Sequence, residues 1–366
     1  MGVQAPITAR GAVQALGAVA GLIGLAAFDA HRAIVGVGGG LKIGNLEGDP
    51  LAAHSEVDTG QVGCRAFRCD QGLYAMVRVR GQKLGKQLTV AVTQSPLQGE
   101  NMKTLFVTGA SSGLGKAAAK LFSAKGWNVI ATMRTPAKEL ELGRWPNISV
   151  LELDVSNATQ IHEVVREVTS KVTVDVVLNN AGYALTGPLE TSTDEQVITQ
   201  INTNQLGAIR VTKAFIPHFR ERRSGMFLTT TSIGGLVSFP LNAVYHATKW
   251  ALEGFSESIA FELKPFNVSV KTISPGAIQS DFLGKAQWVK DEHYADMFQK
   301  MLAMFGGALQ GSTPEQIAEV VYEAATDGKE QLRYVAGADA IATYQHRVEV
   351  GSEMFHRELM TQILKG

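Results

Sequence analysis

From residue 102 onward the chain alternates between two hydrophobic rhythms. Short, nearly continuous apolar runs fall at 103–107, 128–132, 149–153, 174–178, 226–230, 268–273 and 332–335. Between them lie longer stretches in which apolar residues recur three or four positions apart. The first rhythm marks strands buried on both faces, the second amphipathic helices. Their alternation predicts a seven-stranded, mostly parallel sheet covered by helices on both faces, a Rossmann-like doubly wound α/β fold. Ligands of such sheets collect beyond the carboxyl ends of the strands.

The first 101 residues follow neither rhythm consistently. Residues 11–28 form an uncharged run, largely Gly, Ala, Leu, Val and Ile, and Arg10 is the only charge before residue 29. A signal core or weak membrane segment is one reading. A mobile or loosely helical segment is preferred, because the run is rich in glycine and alanine and its flank is barely basic. The glycine-dense stretch 36–40 reads as loop. Residues 73–79 and 88–92 alternate like two short strands around a Gly/Lys turn, a candidate hairpin. The expected organisation is an extension over 1–101, either a domain of its own, a targeting segment or a misassigned start, followed by an α/β domain over 102–366. Any membrane association is expected only through 1–101.

Composition narrows the classes of function. With 366 residues and 45% hydrophobic content the chain can bury a large core. Its formal net charge of zero gives no ground for expecting nucleic acid as a partner. The two cysteines, Cys64 and Cys69, make no disulfide framework and fail the usual zinc spacings. They read as free thiols in a reducing compartment, so a cytoplasmic location is expected and no metal is assigned.

The most informative segment is Thr108-Gly109-Ala110-Ser111-Ser112-Gly113-Leu114-Gly115, set between an apolar strand and a helical pattern. A strand, a glycine turn and a helix N-terminus together bind the pyrophosphate of a dinucleotide. The spacing is G-x-x-x-G-x-G rather than the commoner G-x-G-x-x-G. Gly109, Ser111, Ser112, Gly113, Leu114 and Gly115 are therefore candidate cofactor-binding residues. An NAD site places a carboxylate about 20 residues further on, against the ribose hydroxyls. Here the second strand runs into Ala131-Thr132-Met133-Arg134 with no acid. Arg134 can pair instead with a 2′-phosphate, which favours NADP over NAD.

Further along come Asn179-Asn180-Ala181-Gly182, Ser232, Tyr245-His246-Ala247-Thr248-Lys249 and Pro275-Gly276. In this order and spacing, residues 102 to about 345 resemble the short-chain dehydrogenase/reductase family, in particular its steroid- and retinol-type members. The resemblance implies a hydride-transferring oxidoreductase. Asp154 matches the family aspartate near the adenine, with Val155 beside it; capping a helix is the plain alternative for Asp154. Asn180, Ala181 and Gly182 would line the adenosine ribose, while Asn179 braces the sheet. The basic residue that many members carry inside the glycine turn is replaced by Ser112. Pro275, Gly276, Ile278 and Ser280 would hold the nicotinamide amide, Ser280 standing where the family often has threonine.

The same resemblance makes Asn204, Ser232, Tyr245 and Lys249 the catalytic set. The chemistry fits. Hydride transfer to a carbonyl leaves an alkoxide that needs a proton donor. A tyrosine, near 10 unperturbed, suits only if a neighbouring cation lowers it. Tyr245 and Lys249 lie at i and i+4 on one helix face. Ser232 can donate a hydrogen bond to the substrate oxygen. Asn204 would hold a water that links the lysine to solvent.

After the nicotinamide segment, Phe282, Trp288, Tyr294, Met297, Phe298, Met301, Met304 and Phe305 crowd one stretch, which reads as a helical pair packing on its own domain, as a mobile lid over an apolar pocket, or as both. With Tyr183 to Glu190 they imply an apolar carbonyl or the matching alcohol as substrate. Family members commonly dimerise through two helices that here span 209–220 and 245–263. Val211, Phe215, Ala251, Phe255 and Ile259 are the expected contacts of a homodimer or homotetramer. The alternative function is a dinucleotide-binding regulator without turnover; the intact catalytic set argues against it.

Overall fold

A computed structural model describes residues 102–282, 284–306 and 311–365 and, before these, three strands alone. The chain divides into two compact units, Met1–Asn101 and Met102–Gly366. In the first, β1 (Val62–Cys69), β2 (Gly72–Arg80) and β3 (Gln87–Thr93) form an antiparallel sheet in that order. β2 and β3 are the expected hairpin, with Arg80 opposite Gln87 and Tyr74 opposite Thr93. β1 is an addition. Phe67 and Arg68 break its alternation after five residues, so the sequence pattern announces it only weakly. The stretches 11–28 and 36–40, and the thiols of Cys64 and Cys69, lie outside the described residues.

In the second unit all seven apolar runs become strands: β4 (Thr104–Thr108), β5 (Asn128–Met133), β6 (Ile148–Glu152), β7 (Val176–Asn179), β9 (Gly225–Thr230), β10 (Val268–Pro275) and β12 (Arg333–Ala336). They form one sheet in the order β12-β10-β9-β7-β4-β5-β6, and every pairing is parallel. Two further strands of two residues each, β8 (Leu185–Thr186) and β11 (Gln287–Trp288), pair parallel with each other outside it. The described helices are α1 (Gly113–Ala124), α2 (Ala158–Lys171), α3 (Asp194–Ile201), α4 (Gly207–Arg222), α5 (Ala243–Leu263), α6 (Ala295–Gly306), α7 (Pro314–Thr326), α8 (Ala338–Val350) and α9 (Ser352–Lys365). Among the described residues no helix is long and apolar enough to cross a membrane.

Strand periodicity divides the core. Leu105 and Val107 point to one face, where Phe122 of α1 and Ile317 and Val321 of α7 cover them. Phe106 points to the other, against Val165 of α2, Phe215 and Phe219 of α4 and Ile259 of α5. This layer accounts for a correction. Val211 and Phe215 are fully buried in their own unit and Ile259 nearly so, leaving little of them for a second subunit. The most exposed large apolar side chain on these two helices is Phe261.

β4 stands at the centre, where the strand order reverses between β5 on one side and β7 on the other. Such a reversal parts the helices above the strand ends and opens a crevice. The segments after β4, β5, β7, β9 and β10 all end beside it.

Candidate active site

The glycine turn is built for close approach. Gly109 has φ +69, and a Cβ there would lie 2.7 Å from Ala181 Cα. At Gly115 a Cβ would lie 2.5 Å from both Asn180 Nδ2 and Gly109 O. Only glycine lets the turn fold onto the β7 end and the helix onto the turn. Thr108 binds the two segments together: its hydroxyl accepts from the N–H groups of Asn180 at 3.0 Å and Ala181 at 3.1 Å. Asn180 Nδ2 donates back to Thr108 O at 3.0 Å and Gly109 O at 3.2 Å. Asn179 Nδ2 donates to Thr212 Oγ1 at 2.8 Å, bracing β7 against α4. The side chains of both asparagines are thus committed to scaffolding.

Ser112 is the N-cap of α1, yet its side chain makes no capping bond. The first-turn N–H groups of a helix have no intrahelical partner and carry its positive dipole end. Ser112 Oγ instead accepts from Lys285 Nζ at 2.8 Å. Lys285, which sequence reasoning missed, brings a cation to the turn position that lacks one. It comes from 173 residues away, so no local pattern signals it.

Arg134 follows the end of β5 in an exposed position. It lies close enough to Tyr183 for its charge to draw the phenol down, against the larger upward push of burial. Asp154 Oδ1 accepts from Ser156 N at 2.9 Å and Ser156 Oγ at 2.7 Å, while Asn157 is the residue that caps α2. Val155 is buried where α4 begins, and a Cβ on Gly207 would lie 2.8 Å from its Cγ2.

Asn204 sits in a π-helical turn, Asn202–Leu206, between α3 and α4. Such turns recur at functional sites. Asn204 is buried; its Oδ1 accepts from Tyr183 N at 3.1 Å and its Nδ2 donates to Tyr183 O at 2.8 Å. Ser232 follows the end of β9, where its Oγ accepts from Gly234 N at 3.0 Å and it also bonds to the Tyr245 phenol. Lys249 Nζ lies 5.7 Å from the Tyr245 ring centre and donates to Thr230 O at 2.9 Å. Ser232, Tyr245 and Lys249 are therefore together, with Asn204 reaching Thr248, the neighbour of Lys249, at 3.5 Å.

Electrostatics here are dominated by burial. Burial pushes the Tyr245 phenol up, opposed by the bond to Ser232. Burial brings the Lys249 ammonium down to about 8, opposed by the carboxylate of Glu253. His246 is fixed in its neutral form, one ring nitrogen 2.7 Å from Gly234 O and the other accepting from Phe239 N at 2.9 Å. That neutrality agrees with the downward pull of burial on the ring. The ring ties the loop carrying Ser232 to the helix carrying Tyr245.

The Pro275-Gly276 segment is held from below. Gly276 N donates to Ala336 O at 2.9 Å, Ala277 N to Asp339 Oδ2 at 2.8 Å, and Gln279 N to Ser312 O at 2.9 Å. Ile278 forms a bridge with Ser312, and a Cβ on Gly113 would lie 3.6 Å from Ser280 Cβ, so the segment reaches the glycine turn. Beyond it Phe282 sets its ring edge against Tyr245, centres 6.2 Å apart. Trp288 packs on Phe298 at 5.6 Å, and Met301 is buried with its sulfur 3.8 Å from Asn242 Nδ2. Tyr294 OH donates to Glu190 Oε2 at 2.7 Å, so β8–β11 and this bond join the stretch carrying Trp288 and Tyr294 to the 183–190 segment. The side chains of Met304 and Phe305 lie outside the described residues.

Residues 103–290 match the family model described as short chain dehydrogenase. An uncharacterized oxidoreductase of Schizosaccharomyces pombe is 39% identical over 236 residues, 62% of this chain and 99% of the relative. Human 17-beta-hydroxysteroid dehydrogenase type 1 is 36% identical over 252 residues, 63% of this chain and 76% of that protein. Among solved structures, a short-chain dehydrogenase from Streptomyces avermitilis has TM-score 0.62 at 32% identity, covering 68% of this chain and 94% of its own. ElxO with NADP bound has TM-score 0.56 at 25% identity, covering 67% and 100% respectively.

Proposed function

The chain belongs to the short-chain dehydrogenase family and is an oxidoreductase acting on CH–OH or carbonyl groups, and we propose that Tyr245 is the acid–base of its reaction and NADP its cofactor. The observation that carries this reading is the meeting of Ser232, Tyr245 and Lys249, together with a glycine turn in which Gly109 and Gly115 leave no room for a Cβ.

The residues present fit a dinucleotide with a 2′-phosphate. The turn Gly109–Gly115 would hold the pyrophosphate on open backbone N–H groups. Arg134 and Lys285 would meet the 2′-phosphate, the first through its planar fork and the second through the cation it brings to Ser112. The NADP-bound relative supports the same choice. When bound, NADP supplies or accepts the hydride.

Ser232 orients the substrate oxygen and shares it with Tyr245, which donates the proton during reduction and withdraws it during oxidation. Lys249 holds a positive charge beside the phenol below about pH 8 and so favours its ionised form. Asn204 fixes the Tyr183 backbone next to this group. Phe282, Trp288, Phe298 and Met301 give the lid an apolar inner surface, which supports an apolar ketone or aldehyde, or its alcohol. The steroid dehydrogenase among the relatives points the same way.

The test is NADPH oxidation by purified protein against a panel of apolar and charged carbonyl compounds. Turnover should be confined to the apolar members and be slower with NADH. Turnover only with charged substrates would overturn the substrate class, and preference for NADH would overturn the cofactor.

A further inference from the structure

Glu253 lies on α5 one turn beyond Lys249, so Tyr245, Lys249 and Glu253 follow one another at four-residue steps on one helix face. It is 4% exposed. A carboxylate so deep is costly unless its lone pairs are met, and each oxygen has two donors. Oε1 accepts from Thr231 Oγ1 at 2.5 Å and Ser274 Oγ at 2.8 Å. Oε2 accepts from Thr272 Oγ1 at 3.2 Å and Arg333 Nε at 3.0 Å.

The origin of these donors matters more than their number. Thr231 immediately precedes Ser232, and Ser274 immediately precedes Pro275-Gly276. Arg333 opens β12, the neighbour of β10. One side chain thus joins the catalytic helix to the strand ends that lead into the serine and the nicotinamide segment. Arg333 Nε can only donate, and the hydroxyls of Thr231, Thr272 and Ser274 can each turn a proton to the carboxylate, so the position suits a group that only accepts. A glutamine would turn an N–H toward at least one of them. The charged groups facing Glu253 are Lys249 on its own helix and Arg333 on β12, and Arg333 is bonded in turn by Tyr344 of α8.

We propose that Glu253 is a positioning residue of the reaction: its carboxylate pins α5 to the strand ends bearing Ser232 and the Pro275-Gly276 segment, and its negative charge retains the proton of the Tyr245–Lys249 pair. The proposal rests on Tyr245 and Lys249 being the acid–base pair. Lys249 Nζ lies 5.7 Å from the Tyr245 ring centre, so a charge beside one of them bears on the proton of the other. Removing a negative charge beside the pair eases loss of its proton, and removing a positive charge hinders it. Carbonyl reduction needs that proton, so the alkaline limb of kcat reports its loss.

The experiment measures the pH dependence of kcat for NADPH-driven reduction of an apolar ketone by the full chain and three variants, with NADPH binding followed by fluorescence. Glu253→Gln should move the alkaline limb to lower pH by about 1 unit, the scale of one nearby charge. Arg333→Gln should move it to higher pH. Glu253→Asp keeps the charge and should leave the limb near its wild-type position even where kcat falls. Opposite shifts from the two charge removals cannot come from loosened packing alone. A lower kcat with an unmoved limb in Glu253→Gln, or in Arg333→Gln should the glutamine variant not fold, would overturn the proposal. Full turnover by Tyr245→Phe, run in parallel, would instead overturn the acid–base reading on which it rests.

Discussion

Arg134, just after β5, and Lys285, which reaches the glycine turn at Ser112, are the two cations proposed for the 2′-phosphate, and each should be felt by one cofactor. Arg134→Ala should weaken NADPH by about 1.5–3 kcal/mol, the value of a charge-assisted contact, and leave NADH almost unchanged. Lys285→Met should act in the same direction. Equal losses for both dinucleotides in a fluorescence titration would show that neither cation reads the 2′-phosphate. Arg134 was legible in the sequence because an expected acid was missing. Lys285 was not, since a contact across 173 residues leaves no local trace. Away from the site, Lys271 and Asp327 form a buried pair at 2.8 Å, joined by Tyr334, whose hydroxyl donates to Asp327 at 2.6 Å. Burial works to raise the Asp327 carboxyl, but the bonds from Lys271 and Tyr334 outweigh it and hold it below the usual range. The folded value is depressed, so this stabilisation is present above the unfolded pKa near 4 and drains away as pH falls below it. Asp327→Asn should cost about 3–5 kcal/mol at neutral pH by leaving Lys271 unpaired. Urea unfolding should show the gap from wild type closing in acid; a constant gap would refute the pair's role.

At the scale of elements, the segment proposed as a lid is registered by a very short pairing. Gly187 follows β8 with φ +151, and a Cβ there would lie 2.6 Å from Val289 Cβ. Gly187→Ala should push the β11 segment away and raise KM for the carbonyl substrate severalfold, overpacking of this kind costing about 1–3 kcal/mol. NADPH affinity should hold. A change in NADPH affinity with KM untouched would separate this contact from the substrate side. The elements divide clearly by legibility. The seven long strands announce themselves through apolar runs, because burial on both faces needs them. β8 and β11, two residues each, have no period to read. The π-helical turn at Asn202–Leu206 depends on how α3 and α4 are packed, and its sequence resembles ordinary helix. Ser232, Tyr245 and Lys249 stood out through the family resemblance that the ordered motifs carry. Glu253 had a signal that went unused, an acid four residues past Lys249, but its significance lies in four donors from elsewhere in the fold. The same limit explains Val211 and Phe215: periodicity marks an apolar face without saying whether its own sheet or a second subunit covers it.

At the scale of the whole molecule, every residue of the proposed site belongs to Met102–Gly366. A protein of residues 102–366 should fold, bind NADPH and turn over like the full chain; soluble, folded protein without NADPH binding would show that the first unit helps to build the site. Two-fold assembly through α4 and α5 is the proposed oligomer, with Phe261, 77% exposed, as its apolar contact. Light scattering at micromolar concentration should give twice or four times the chain mass, and Phe261→Asp should reduce it; an active monomer would refute the assembly. The claim on which the functional account turns is narrower. Tyr245→Phe keeps the ring and removes only the hydroxyl that Ser232 bonds and Lys249 attends. Single-turnover hydride transfer from NADPH to an apolar ketone, at pH 7, isolates the chemical step from binding and product release. The account predicts a rate lower by about 10²–10⁴ with NADPH affinity unchanged. Transfer at the wild-type rate would contradict it.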